Sequence, residues 1–88
     1  MAGMKAKSRW CVYILRCSNG SLYTGMTNDI VKRLKAHKAG KGGSFTRSFG
    51  VEKLVYTQSR RGRSSALKRE AAIKKLDRKQ KLELILKP

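Results

Sequence analysis

The chain has 88 residues, room for one small domain whose single core is close to the lower size limit for stability. Lys and Arg number 22 against five Asp and Glu, and the net charge of +17 exceeds what solubility needs and points to a polyanionic partner. No stretch is long and apolar enough to span a bilayer, and no apolar run follows the basic start as in a leader, so no membrane partner is expected and the compartment expected is the cytoplasm.

Residues 1–9 read as a flexible basic arm and residues 10–88 as a single domain. Trp10 to Arg16 is apolar on both faces and rich in β-branched and aromatic types, which predicts a central strand. Ser18-Asn19-Gly20 is turn chemistry, because Asn and Gly tolerate positive φ, and Ser21 to Met26 is the returning strand. Thr27-Asn28-Asp29 can cap a helix that runs to about Ala39 with Ile30, Val31 and Leu34 facing inward and Gly40 as its stop. Lys41-Gly42-Gly43-Ser44 reads as a flexible loop without core-forming side chains. Lys53 to Thr57 is a third strand, and Ser59-Arg60-Arg61-Gly62-Arg63 a basic loop. Ser64 or Ser65 can cap a second helix to about Leu76, and Asp77-x-x-Gln80 has the capping-box spacing for a short last helix carrying Leu82, Ile85 and Leu86. The fold class expected is α+β, a three-stranded antiparallel sheet flanked by helices in the order β-β-α-β-α-α.

Cys11 and Cys17 do not suit a disulfide. On one strand they would lie about 20 Å apart at a rise of roughly 3.3 Å per residue, whereas bridged cysteines need Cα atoms within about 7 Å. Two Cys and one His are also too few for a closed structural zinc site.

Whether Tyr13 and Tyr23 share a face of the sheet depends on the hairpin loop. A two-residue Asn19-Gly20 loop sets Tyr13 opposite Met26 and sends the two rings to opposite faces. A three-residue Ser18-Asn19-Gly20 loop, with Gly20 left-handed, sets Tyr13 opposite Gly25 and Tyr23 opposite Leu15, and both rings then point the same way. Arg33 and His37 are four apart and share a helix face. Glu70 is one of only five acids (with Asp29, Glu52, Asp77 and Glu83), a turn beyond Leu67, where it can edge a buried stripe or pair with Lys74 at i+4.

These residues carry a resemblance. Val12-Tyr13-Ile14, Tyr23-Thr24-Gly25, Arg33-x-x-x-His37 and Glu70 resemble, in order and spacing, the motifs of the GIY-YIG nuclease family. The likeness runs from Trp10 to about Leu86. Phe45-Thr46-Arg47, Leu54-Val55-Tyr56 and Ala71 to Leu76 look most like its small free-standing bacterial members. The resemblance implies an endonuclease that hydrolyses phosphodiester bonds with Mg²⁺ (or Mn²⁺). Glu70 would hold the metal, and Tyr13 or Tyr23 would be the base, its phenol pKa lowered by metal and nearby cations. Arg33 would steady the pentacovalent phosphate, and His37 would assist the phenol or the leaving oxygen. Nucleic acid is the implied partner, DNA before RNA. Arg47, Arg60, Arg61, Arg63, Lys68 and Arg69 are the residues expected to hold its backbone, with low sequence specificity. Thr24 stands in place of the usual Ile, Met26 where excision-repair relatives carry Lys, and no Asn follows Glu70. A non-catalytic nucleic-acid-binding protein of this fold is the alternative, and a structural basic protein of ribosomal type the third.

Overall fold

The computed structural model describes residues 9–42 and 49–87. The expectations for the arm before Arg9, and for Phe45-Thr46-Arg47, lie outside the described residues. The elements are β1 (Trp10–Cys17), β2 (Leu22–Thr27), α1 (Ile30–Lys38), β3 (Val51–Arg60), α2 (Arg63–Lys74) and α3 (Arg78–Leu86). The order is therefore β-β-α-β-α-α, and the sheet is antiparallel with β1 in the centre of β2-β1-β3.

The hairpin adopts the three-residue loop. Gly20 N–H donates to Cys17 O at 2.8 Å, Cys17 N–H to Ser21 O at 2.8 Å, and Gly20 sits at φ +87°. The register follows, with Tyr13 opposite Gly25 and Leu15 opposite Tyr23. Side chains alternate along β1. Val12 and Ile14 point one way and join Tyr56, Ala66 and Ile73 in the core, where Trp10, Leu22, Met26, Leu84 and Ile85 close around them. Tyr13 and Leu15 point the other way and are equally buried.

Both acidic caps form as their spacing predicts. Asp29 accepts from Lys32 N–H at 3.1 Å, and Asp77 makes a reciprocal capping box with Gln80. The start of α2 differs from expectation. Gly62 is its N-cap and no serine hydroxyl caps it; the Ser65 hydroxyl instead accepts from Arg60 Nε at 2.8 Å. The third strand is longer than Lys53 to Thr57, so Ser59 and Arg60 belong to β3 rather than to a loop. The inner face expected of α1 is met only in part. Val31 is 64% exposed, because the stripe facing the sheet runs Ile30, Leu34, His37 and Val31 lies about 100° off it. In α3, Leu84 and Ile85 reach the core while Leu82 and Leu86 stay exposed on the far flank. Among the described residues no helix is long and apolar enough to cross a membrane.

Candidate active site

The three-residue loop puts both phenols on one face, and α1 delivers Arg33 and His37 to the same place. Tyr13 and Tyr23 have ring centroids 6.4 Å apart, and the His37 ring stands edge-on to both, at 5.7 and 5.2 Å. The Tyr13 hydroxyl is 2.8 Å from His37 Nε2 and accepts from Arg33 Nε at 3.4 Å. Tyr13 and His37 are each only 1% exposed, so this pair is sealed from bulk water, whereas Tyr23 is partly open.

Burial decides the protonation states. Desolvation raises the Tyr13 pKa above the usual phenol value; the Arg33 hydrogen bond and charge pull it down, while Tyr23 and the Glu70 charge push it up. At Tyr13 the loss of solvent outweighs the guanidinium; the lowering expected for one of the two phenols relies on a bound metal as well as on cations. Desolvation, seconded by the Arg33 charge, lowers the His37 pKa below 6.5. His37 is therefore neutral at pH 7, and in the tautomer that carries its proton on Nδ1 its Nε2 accepts from the Tyr13 O–H. Hydrogen bonding to Tyr13 raises the Arg33 pKa, with burial opposing and Tyr23 contributing, so Arg33 stays charged.

Two glycines make this packing possible, and the chemistry-bearing residue types alone do not reveal them. Gly25 lies opposite Tyr13, and a Cβ there would stand 2.5 Å from the Tyr13 hydroxyl and 2.7 Å from Cζ. The ring lies flat across the one strand position that has no side chain. The sequence signal for it is the glycine of Tyr23-Thr24-Gly25, which supplies a space as well as a motif. Gly42 is the second. Gly40 N–H donates to His37 O at 3.0 Å and Lys41 N–H to Ala36 O at 2.8 Å, a Schellman closure with Gly40 at φ +78°. The chain thereby folds back, Gly42 O accepts from Arg33 Nη2 at 3.0 Å, and a Cβ on Gly42 would overlap the His37 ring. Gly42 is buried, so this part of the expected flexible loop is a packed wall of the site.

Glu70 lies on the inner stripe of α2 between Ala66 and Ile73. Its side chain is 16% exposed and pairs with Lys74 Nζ at 3.4 Å, while its charge acts on the Tyr13 phenol. The other acids are engaged elsewhere or exposed: Asp29 and Asp77 cap helices, Glu52 pairs with Arg16, and Glu83 lies on the exposed flank of α3. No three His, Cys, Asp or Glu gather among the described residues. That donor set fits a hard cation held by one carboxylate, water and substrate oxygens, and does not fit a closed protein cage. Of the residues expected to bind nucleic acid, Arg61, Arg63 and Lys68 are exposed, and Arg60 and Arg69 are partly buried.

A hairpin with two facing tyrosines, a helix bearing Arg and His, and a second helix bearing one carboxylate define a catalytic domain of one kind. The chain belongs to the GIY-YIG family: its residues 9–83 match the model of the GIY-YIG catalytic domain. It is similar to UPF0213 proteins, small free-standing members. It is 53% identical to the one from Clostridium perfringens over 84% of this chain and 80% of that one. It is 46% identical to the one from Oceanobacillus iheyensis over 84% of this chain and 86% of that one. The solution NMR structure of the UPF0213 protein BH0048 from Bacillus halodurans superposes with a TM-score of 0.58 at 41% identity, covering 90% of this chain and 85% of that one. The GIY-YIG domain is typical of endonucleases, implies a nucleic-acid substrate, and generally works with divalent metal ions.

Proposed function

We propose that the protein is a metal-dependent endonuclease that hydrolyses phosphodiester bonds in nucleic acid with little sequence preference. The observation that carries this reading is the Tyr13 hydroxyl held between neutral His37 and charged Arg33. A buried phenolate is costly, as the raised Tyr13 pKa says. The pair avoids forming one: the attacking water enters on the partly open Tyr23 side, and as Tyr13 Oη takes its proton, the Tyr13 proton passes to His37 Nε2 across 2.8 Å. Tyr23, more exposed and edge-on to the same imidazole, orients the water and the phosphate. Arg33, tied to Gly42 O, presents fixed positive charge where the pentacovalent phosphate gathers negative charge. Glu70 would hold the metal ion, which when bound polarises the scissile phosphate and steadies the leaving oxygen.

The test is a panel of labelled branched, nicked, single-stranded and duplex DNA and RNA, incubated with Mg²⁺, Mn²⁺ or chelator. Products that need metal and vanish in Glu70→Gln support the reading. One observation favours a second reading: Glu70 is already paired with Lys74 on a chain of net charge +17, an arrangement that a pure binding protein could also carry. Binding of every substrate with cleavage of none would establish that alternative. Affinity is expected to be electrostatic in either case. About six phosphate contacts would give a log–log salt slope near −4 to −6.

A further inference from the structure

We propose that Arg60 and Arg69 form a two-point clamp on the sugar–phosphate backbone, away from the phosphate that reacts; the clamp rests on the nucleic-acid partner proposed above. Both side chains are locked through Nε. Arg60 donates to Ser65 Oγ at 2.8 Å, and Arg69 donates to Gln58 Oε1 at 2.8 Å. Gln58 is itself fixed, since the same oxygen accepts from the hydroxyl of Tyr56, a core residue, at 3.0 Å.

The two cross-links run side by side. Gln58 and Arg60 are two apart on β3 and share a face, about 6.6 Å apart at strand rise. Ser65 and Arg69 are four apart on α2 and share a face, about 6 Å apart along its axis. The guanidinium groups therefore sit one above the other along the β3–α2 seam, at a separation close to that of successive phosphates on one strand. With Nε occupied, each fork keeps both Nη groups, the pair that matches phosphate oxygens bidentately.

Neither arginine has an ion pair among the described residues, and exposed Arg61, Arg63 and Lys68 add positive charge on α2 and on the turn that leads into it. An arrangement of mutually repelling cations, each held rigid by a neutral partner, is relieved by a polyanion. Ordering the side chains in advance also removes entropy cost from binding. Arg69 precedes Glu70 on α2, so a strand held in the clamp is set in fixed relation to the proposed metal-holding carboxylate.

Fluorescence anisotropy in chelator, where nothing is cut, tests the clamp on labelled single-stranded DNA, duplex DNA and single-stranded RNA of one sequence. Arg60→Ala/Arg69→Ala is expected to weaken binding at least about tenfold, and to make the salt slope shallower by about 1.4–1.8, the share of two phosphate contacts. The reference pair Lys79→Ala/Lys87→Ala removes the same charge from exposed sites on and beyond α3, and should cost no more than about threefold. Ser65→Ala, which leaves charge untouched, should weaken binding with the slope unchanged. If the alanine pair does not fold, Arg60→Lys/Arg69→Lys keeps charge without the fork and should still bind several-fold more weakly. Equal losses for the clamp and reference pairs, or parental affinity in the lysine pair, would overturn the clamp. A parent that binds all three but cuts nothing with metal leaves the clamp standing and removes only the catalytic reading. A parent that binds none overturns both.

Discussion

Gly25→Ala should disable the site while testing how tightly it is packed. The new Cβ would stand 2.5 Å from the Tyr13 hydroxyl, and ordinary contact needs 3.4 Å or more, so ring or strand must move by about 0.9 Å. Tyr13 has little room to yield: its hydroxyl is tied to His37 and Arg33, and its ring lies against Tyr23 and His37. Overpacking of this kind costs about 1–3 kcal/mol. Replacing a strand glycine returns about 0.5–1 kcal/mol through the unfolded chain. A net loss centred on about 1 kcal/mol, and no more than about 2.5 kcal/mol, should lower Tm by roughly 4–8 °C at its centre in a domain of this size. A misplacement near 1 Å at the proton relay should slow cleavage about a hundredfold. Thermal melts and cleavage rates read the two effects separately. Tyr13→Phe removes the nearest clashing atom but not Cζ, so Gly25→Ala should cost less in that background, with a coupling of at least about 0.5 kcal/mol. If Gly25→Ala melted within about 2 °C of the parent and cut at its rate, the phenol would not be pinned as described.

Glu70→Gln should abolish cleavage and leave binding intact or tighter, since it removes the charge that attracts a cation and repels phosphate; loss of the Lys74 pair should cost only about 0.3–0.5 kcal/mol in urea unfolding. Arg33→Ala should slow cleavage about a hundredfold to a thousandfold and weaken binding somewhat, as single-turnover rates and anisotropy would show. Stability should depend on pH at both ends. The folded His37 pKa lies below 6.5, so its contribution is complete above that pH and fades as pH falls toward the folded value. The folded Tyr13 pKa lies above 10, so its contribution is complete below pH 10 and fades as pH rises through the folded value. Urea midpoints across pH should show both limbs, with the acid limb flattened in His37→Gln. Thr24→Val should stabilise by about 1 kcal/mol in the same assay, because the buried Thr24 hydroxyl has no hydrogen-bond partner among the described residues.

The parts of the fold legible in the sequence are those fixed by local chemistry. Asp29 and Asp77 announce their helices because a carboxylate three residues ahead of a free N–H can do little else there. Trp10 to Arg16 reads as central because it is apolar on both sides, and it is central. The hairpin was legible only as a pair of alternatives, since Asn19-Gly20 suits two loop lengths and one residue of register reverses every face. What stayed hidden depends on tertiary packing. Val31 is as apolar as Ile30, and only the stripe set by His37 leaves it outside. Gly42 reads as slack until the Schellman turn carries it onto His37 and Arg33. The direction of the Tyr13 shift also depends on burial. A bound metal and neighbouring cations favour a lowered phenol, but burial of Tyr13 pushes the other way, and burial is not legible in the residue types.

That contrast divides the labour within the protein. The +17 charge lies mostly on exposed side chains, where salt screens it and where it governs encounter and affinity. The buried Tyr13–His37 pair is neutral at rest and screened little, and in the proposed mechanism it is the route of the proton. Arg33 joins the two regimes, being charged yet fastened at both ends, to Tyr13 and to Gly42 O. Substitutions should therefore separate by place. Changes along the β3–α2 seam should act on affinity and its salt slope. Changes at Gly25, Gly42 or His37 should act on rate and stability together, because the contacts that seal the relay are the contacts that pack this side of the sheet.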